Sequence, residues 1–189
     1  MSRRIGVLGS LCNPPHVGHA ALARCAAAQL GLERVLLIPT GDPVHRPAPA
    51  VPPSVRLLLA EAAAADEPLL EVSSVEVDRP GPSYMADTLE LLGLQVAGAE
   101  LVLLLGADQY AELDRWHDPA RIRRTAAIAV APRDEAPIEL EPGVELIAME
   151  PVDASSTVIR RRIADGEPID GLVAPAVARA IAEHGLYQT

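Results

Sequence analysis

An α/β fold, with a mostly parallel sheet between two layers of helices, is what this chain of 189 residues predicts. Short runs rich in Val, Leu and Ile alternate along the chain with longer helical patterns, as in consecutive βαβ units. The runs at 35–38 and 101–105 are apolar without a break, as strands covered on both faces are. The first run, 5–8, passes through Gly9 and a proline-containing turn into an alanine-rich helical segment.

The strands are expected at 5–8, 35–39, 70–77, 101–105, 126–131 and 144–149, each a β-branched or Leu-rich run. The helices are expected at 18–30, 54–65, 85–92, 119–124, 155–164 and 175–183, the last capped by Gly185. Residues 41–53 carry five prolines and no periodicity, so they read as a surface loop just past the second strand. The stretch 132–142 is proline-rich and acidic and reads as a connector. No repeat and no domain boundary interrupts the pattern, so residues 1–189 are expected to form one domain of Rossmann-like, three-layer architecture.

Half of the residues are apolar and every basic residue is Arg. A net charge of -10 argues against duplex DNA or RNA as a partner, because phosphate-backbone affinity needs basic surface. A small nucleotide needs only a few local donors. No stretch approaches a membrane span, and Ser2-Arg3-Arg4 runs straight into the first strand with no apolar leader. Cys12 and Cys25 make neither a metal-type pair nor a disulfide framework, so residence in the cytoplasm is expected. Assembly into a homo-oligomer is left open.

The most informative stretch is Gly9-Ser10-Leu11-Cys12-Asn13-Pro14-Pro15-His16-Val17-Gly18-His19. A strand, a turn and a helix start gather backbone N–H groups and a positive helix dipole at one point. His16 and His19 add two imidazoles there, Pro14 and Pro15 stiffen the turn, and Gly18 permits close approach of a ligand. Two isolated histidines would read as partly exposed turn residues, and His45, His117 and Cys12 supply no zinc-type spacing. Together the features suit a polyphosphate.

Three further groups bear on function. Asp153-Ala154-Ser155-Ser156-Thr157-Val158-Ile159-Arg160 reads as a helix N-cap, and it also sets hydroxyls one turn before a guanidinium. Gly106-Ala107-Asp108 follows an apolar strand, as a turn or as a carboxylate placed for ribose hydroxyls. Trp116-His117 lies in a polar run, which favours an aromatic ring facing a ligand rather than the core.

The first stretch resembles the signature of the H-x-G-H nucleotidyltransferases, in particular the nicotinate-nucleotide adenylyltransferases, whose usual form is G-G-[ST]-F-[DN]-P-P-H-x-G-H. The chain departs from it at Ser10, Leu11 and Cys12. Leu11 matters most, because a hydroxyl donor near the phosphates is lost there. Asp153–Arg160 is similar to the second signature, S-S-T-x-[IL]-R, and Gly106-Ala107-Asp108 to a G-x-D on the adenosine side. Ser83-Tyr84-Met85-Ala86-Asp87-Thr88-Leu89 and Trp116-His117 resemble the branch that takes a nicotinate nucleotide, and Pro43-Val44-His45-Arg46 resembles its P-P-H-K.

The resemblance implies transfer of the adenylyl group of ATP, with Mg²⁺ on the triphosphate, to nicotinate mononucleotide, yielding deamido-NAD and pyrophosphate. It implies catalytic roles for His16, His19 and Arg46. ATP would be held by Gly9, Ser10, Leu11, Asn13, Gly18, Gly106, Asp108, Ser156, Thr157 and Arg160, with a lesser role for Ser155. The acceptor would meet His45, Tyr84, Thr88, Trp116 and His117, and no protein metal ligand is evident. The alternatives are adenylyl transfer to nicotinamide mononucleotide or phosphopantetheine, and a nucleotide-binding relative without catalysis. Hydride transfer lacks its G-x-G-x-x-G after the first strand.

Overall fold

Alternation along the strands sorts the apolar side chains into two cores, one on each face of a single sheet. In a computed structural model that describes residues 3–44, 47–132 and 139–188, the strands are β1 (Arg3–Ser10), β2 (Arg34–Pro39), β3 (Leu70–Val72), β4 (Ala99–Gly106), β5 (Ala126–Ala131) and β6 (Glu145–Leu146). Their order is β3-β2-β1-β4-β5-β6, and all five pairings are parallel. The helices are α1 (Val17–Leu30), α2 (Pro53–Ala64), α3 (Met85–Gln95), α4 (Ala107–Ala111), α5 (Pro119–Thr125), α6 (Ser156–Ala164) and α7 (Pro175–Glu183).

Leu8, Leu37, Val102 and Ala129 pack with Leu22 and Ala26 of α1 and Ala60 of α2. Ile5, Val7, Leu103 and Ile128 pack on the other face with Leu89 and Leu92 of α3 and Ile122 of α5. The expected α/β architecture is therefore present, with every strand parallel. A slip of one residue in β1 would exchange buried Ile5 and Val7 for Gly6 and Leu8, so the two faces pin the register. A third apolar group joins Leu59 of α2 to Ile159 of α6 and Val177 and Ile181 of α7. That packing carries α6, nearly at the end of the chain, onto the side of the sheet that holds α1 and α2.

Two expected strands are shorter than their apolar runs. The strand expected at 70–77 ends at Val72. The Ser74 hydroxyl donates to Asp78 (2.6 Å) and Asp78 N–H returns to the Ser74 carbonyl (2.9 Å), so local bonds replace the ladder. The strand expected at 144–149 is reduced to Glu145–Leu146, with one more backbone bond from Ile147 to Val130. Beyond it the Gln29 side chain satisfies both backbone groups of Ala148, at 2.6 and 2.9 Å. One helix, α4, was not expected. Gly185, at φ +58°, follows α7 as anticipated, with Leu186 N–H bonded to the Ile181 carbonyl. Most of the 132–142 connector lies outside the described residues. Among those described, no helix is long and apolar enough to cross a membrane.

Strand order reverses direction of growth between β1 and β4, and ligands in open α/β sheets collect at the carboxyl ends of strands there. Gly9 and Ser10 end β1, and Gly106 ends β4.

Candidate active site

The loop between β1 and α1 is built around its histidines. His16 is the N-cap of α1, and its Nδ1 accepts the Gly18 N–H at 3.2 Å. His19 reaches back, and its Nδ1 accepts the His16 N–H at 3.1 Å. Two imidazoles thus form the reciprocal capping arrangement more often made by Ser and Glu. Backbone N–H groups can only donate, so the His16 Nδ1 is an acceptor, and for His19 the shorter of two Nδ1 contacts, 3.1 Å to the His16 N–H against 3.3 Å to its carbonyl, favours the tautomer with the proton on Nε2. The rings sit 4.1 Å apart. A Cβ at residue 18 would lie 2.9 Å from His16 Nδ1, which is why glycine stands there.

His19 Nε2 lies 2.9 Å from the Ser10 hydroxyl oxygen and in that tautomer donates to it. Burial pushes the His19 pKa down to about 4, against a smaller upward effect of the His16 carbonyl, so the ring works as a neutral donor. Between about pH 6.5 and 4 the unfolded chain binds a proton at this position that the folded chain refuses. Stability is therefore expected to fall as pH drops through that window. Denaturation midpoints of wild type and His19→Gln across pH 4–7 check this: the substitution should flatten the decline, and parallel curves would contradict it.

Cys12, at φ +51° and 1% exposed, turns its side chain into the core under the loop. Burial pushes its thiol up to about 12, so it fills space and does not react.

The α6 end meets this loop directly. Ser155 caps the helix, its hydroxyl accepting the Val158 N–H. Ser156 donates to the Pro14 carbonyl at 2.9 Å, and Arg160 to the Asn13 carbonyl at 2.7 Å and to the Thr157 hydroxyl at 3.3 Å. Tyr187 donates to Asn13 Oδ1 at 2.8 Å. The residues expected to hold phosphate from the far end of the chain are thus tied to the histidine loop.

Two adjoining cavities open here. One, of 760 Å³, has on its walls all ten of the residues expected to hold ATP, together with His16 and His19. The other, of 460 Å³, is walled by Tyr84, Trp116 and His117 among others. Both are bordered by Gly9, Ser10, Leu11, Asp108 and Gln109, so the end of β1 and the start of α4 form the partition. In the smaller cavity the Tyr84 and His117 rings stack at 4.1 Å, and Trp116 packs one side against the core.

Thr88, expected at the acceptor, is fully buried below the cavity wall. Its hydroxyl donates to Glu76 at 2.7 Å, and its N–H is spent on the Tyr84 carbonyl. It supports the pocket and does not line it. His45 and Arg46 lie outside the described residues.

Three residues that the sequence reading passed over hold the walls. Arg56, 1% exposed, donates to the carbonyls of Leu11 (2.8 Å), Gly41 (3.0 Å) and Val51 (3.2 Å). It binds the histidine loop to both ends of the proline-rich loop. Glu76, 3% exposed, borders the smaller cavity, and burial raises its pKa against the hydroxyls of Thr88 and Ser83. A Cβ at residue 41 would sit 2.1 Å from the Glu76 carbonyl, so glycine is required at that crossing. Tyr187 is the third. Arg56 and Glu76 each interrupt an apolar run, which is the signal that could have found them.

A model of the cytidylyltransferase-like family matches residues 8–162. A Roseiflexus sp. protein carrying the name probable nicotinate-nucleotide adenylyltransferase is 43% identical over 99% of both chains. One of the same name from Thermomicrobium roseum is 36% identical, over 98% of this chain and 92% of its own. Among solved structures, the nicotinic acid mononucleotide adenylyltransferase of Plasmodium falciparum, complexed with NaAD, superimposes with a TM-score of 0.81. It covers 98% of this chain and 97% of its own, and at 12% identity the likeness is one of fold.

Proposed function

This chain belongs to the cytidylyltransferase-like family, among its nicotinate-nucleotide adenylyltransferases, and from that membership we propose how its two cavities divide one reaction. The reaction is adenylyl transfer from ATP to nicotinate mononucleotide. The observation that carries the proposal is the shared partition, Gly9 to Leu11 with Asp108, between a large donor-lined cavity and a small aromatic one. ATP occupies the first and nicotinate mononucleotide the second, so that their phosphates meet over Ser10.

An oxygen of the acceptor's 5′-phosphate attacks the α-phosphorus of ATP, and the bond from that phosphorus to the β-bridging oxygen breaks. Deamido-NAD and pyrophosphate leave. No side-chain nucleophile is needed, so the protein contributes position and charge stabilisation. His16 and the His19–Ser10 pair supply donors at the reacting phosphoryl, while Ser156, Thr157 and Arg160 receive the β- and γ-phosphates. Asp108 faces the ribose hydroxyls. Arg46 and His45, by their place after β2, complete the phosphate and acceptor contacts. Among the described residues no three carboxylates, imidazoles or thiols converge on one point. Mg²⁺ enters with the ATP substrate, on its phosphate oxygens. The whole chain serves as one domain for this reaction.

The indole of Trp116 offers a face for the electron-poor pyridinium ring. Trp116→Ala is expected to raise KM for the pyridine nucleotide roughly tenfold, the worth of one stacked ring, and to leave KM for ATP nearly unchanged. Equal changes in both constants would place the ring elsewhere. Pyrophosphate release with ATP and either the acid or the amide mononucleotide tests the function itself. Preference for the acid is expected, preference for the amide would replace the acceptor, and release with neither would leave only nucleotide binding.

A further inference from the structure

We propose that the hydroxyl of Ser10, with His19 behind it, is the direct hydrogen-bond donor to the phosphoryl group undergoing transfer. The inference rests on adenylyl transfer across the two cavities and assigns the contact at their junction.

Ser10 is the last residue of β1 and borders both cavities. Its oxygen accepts the His19 Nε2–H at 2.9 Å and the Cys12 N–H at 3.2 Å. The closer contact of His19 Nδ1, to the His16 N–H and not to the His16 carbonyl, favours the tautomer that donates from Nε2. In that tautomer both acceptor positions of the hydroxyl are filled by donors, and its own proton points to a further acceptor. Within the protein the serine hydroxyl acts on the Cys12 thiol, lowering its pKa against the larger effect of burial, and a thiol is a weak acceptor. A phosphate oxygen at the cavity junction would displace it readily. The donors on the serine oxygen also polarise its O–H bond, so the chain His19–Ser10–phosphate strengthens as charge develops on the phosphoryl oxygen.

The rest of the loop points to the same atom. Ser10 carries the only hydroxyl between Gly9 and Gly18. Leu11 has an apolar side chain, and its carbonyl is held by Arg56. His19 faces the serine oxygen rather than the cavity with its one N–H, so it is a positioning residue that acts through Ser10.

Kinetics of Ser10→Ala and Ser10→Thr, and of His19→Ala alone and combined with Ser10→Ala, test this, with pyrophosphate release as the readout. Ser10→Ala is expected to lower kcat by roughly 10²–10³-fold, at least as much as His19→Ala, and to change KM for ATP by no more than about twofold. Ser10→Thr should recover most of the turnover, since it restores the hydroxyl in a strand position that accepts a β-branched residue. His19→Ala should cost far less in the Ser10→Ala background than in wild type. An active wild type with an equally active Ser10→Ala, a threonine variant no better than alanine, or additive effects of the two substitutions would each overturn the proposal. A wild type that releases no pyrophosphate would overturn the adenylyl-transfer reading and this proposal with it.

Discussion

His19→Ala is expected to lower kcat by roughly 10²–10³, the loss associated with one preorganised donor at a developing oxyanion, while the protein stays folded. The side chain ends two chains of bonds. Toward the backbone its Nδ1 holds the His16 N–H, and toward the site its Nε2–H holds Ser10. Removing it loosens one N-terminal N–H of α1, a cost of about 1 kcal/mol. The catalytic loss is larger, because only the Cys12 N–H, at 3.2 Å, then still holds the serine hydroxyl. Steady-state rates with both substrates saturating, alongside circular dichroism and a melting curve, separate the two effects. Turnover within a few fold of wild type would remove His19 from the phosphate chemistry.

Arg56→Met is expected to lower stability by about 3–5 kcal/mol, since three carbonyls lose a charged donor at once. The substitution keeps most of the side-chain volume, so the loss reports bonds rather than a cavity. The carbonyls belong to Leu11, Gly41 and Val51, and their release should also widen the cleft and raise KM for both substrates. A urea titration measures the first effect and initial rates the second. A shift below about 1 kcal/mol would mean that water or neighbouring donors replace the guanidinium, and Arg56 would then be a passenger in the wall.

The departures of the chain from the signature it resembles take on a physical meaning in this light. Leu11 removes a hydroxyl from the loop, and Ser10, one residue earlier, places another beside His19. Cys12 supplies a small buried side chain under a turn whose backbone is left-handed at that residue. Read along the chain, these are three departures, one of them the loss of a hydroxyl at Leu11. In the folded loop one of them is a donor and another is packing.

The sequence by itself determined the layers of the fold, because period-two alternation, apolar runs and proline punctuation are local and act within a few residues. It determined the chemistry of the loop between β1 and α1 and of the α6 N-terminus for the same reason, since caps and turns are built from neighbours. Strand lengths at β3 and β6 escaped it, because a turn from Ser74 to Asp78 replaces the ladder after β3 and Gln29, brought over from α1, takes the backbone groups of Ala148 after β6. Arg56, Glu76, Tyr187 and the buried setting of Thr88 escaped it too. Each has a partner 12 or more residues away in sequence, Thr88 and Glu76 with each other, Arg56 with Leu11 at 45 and Tyr187 with Asn13 at 174. Only tertiary packing, which carries α6 and the C-terminal tyrosine onto the first loop, decides that a hydroxyl at residue 10 and an imidazole at residue 19 become one donor facing two joined cavities.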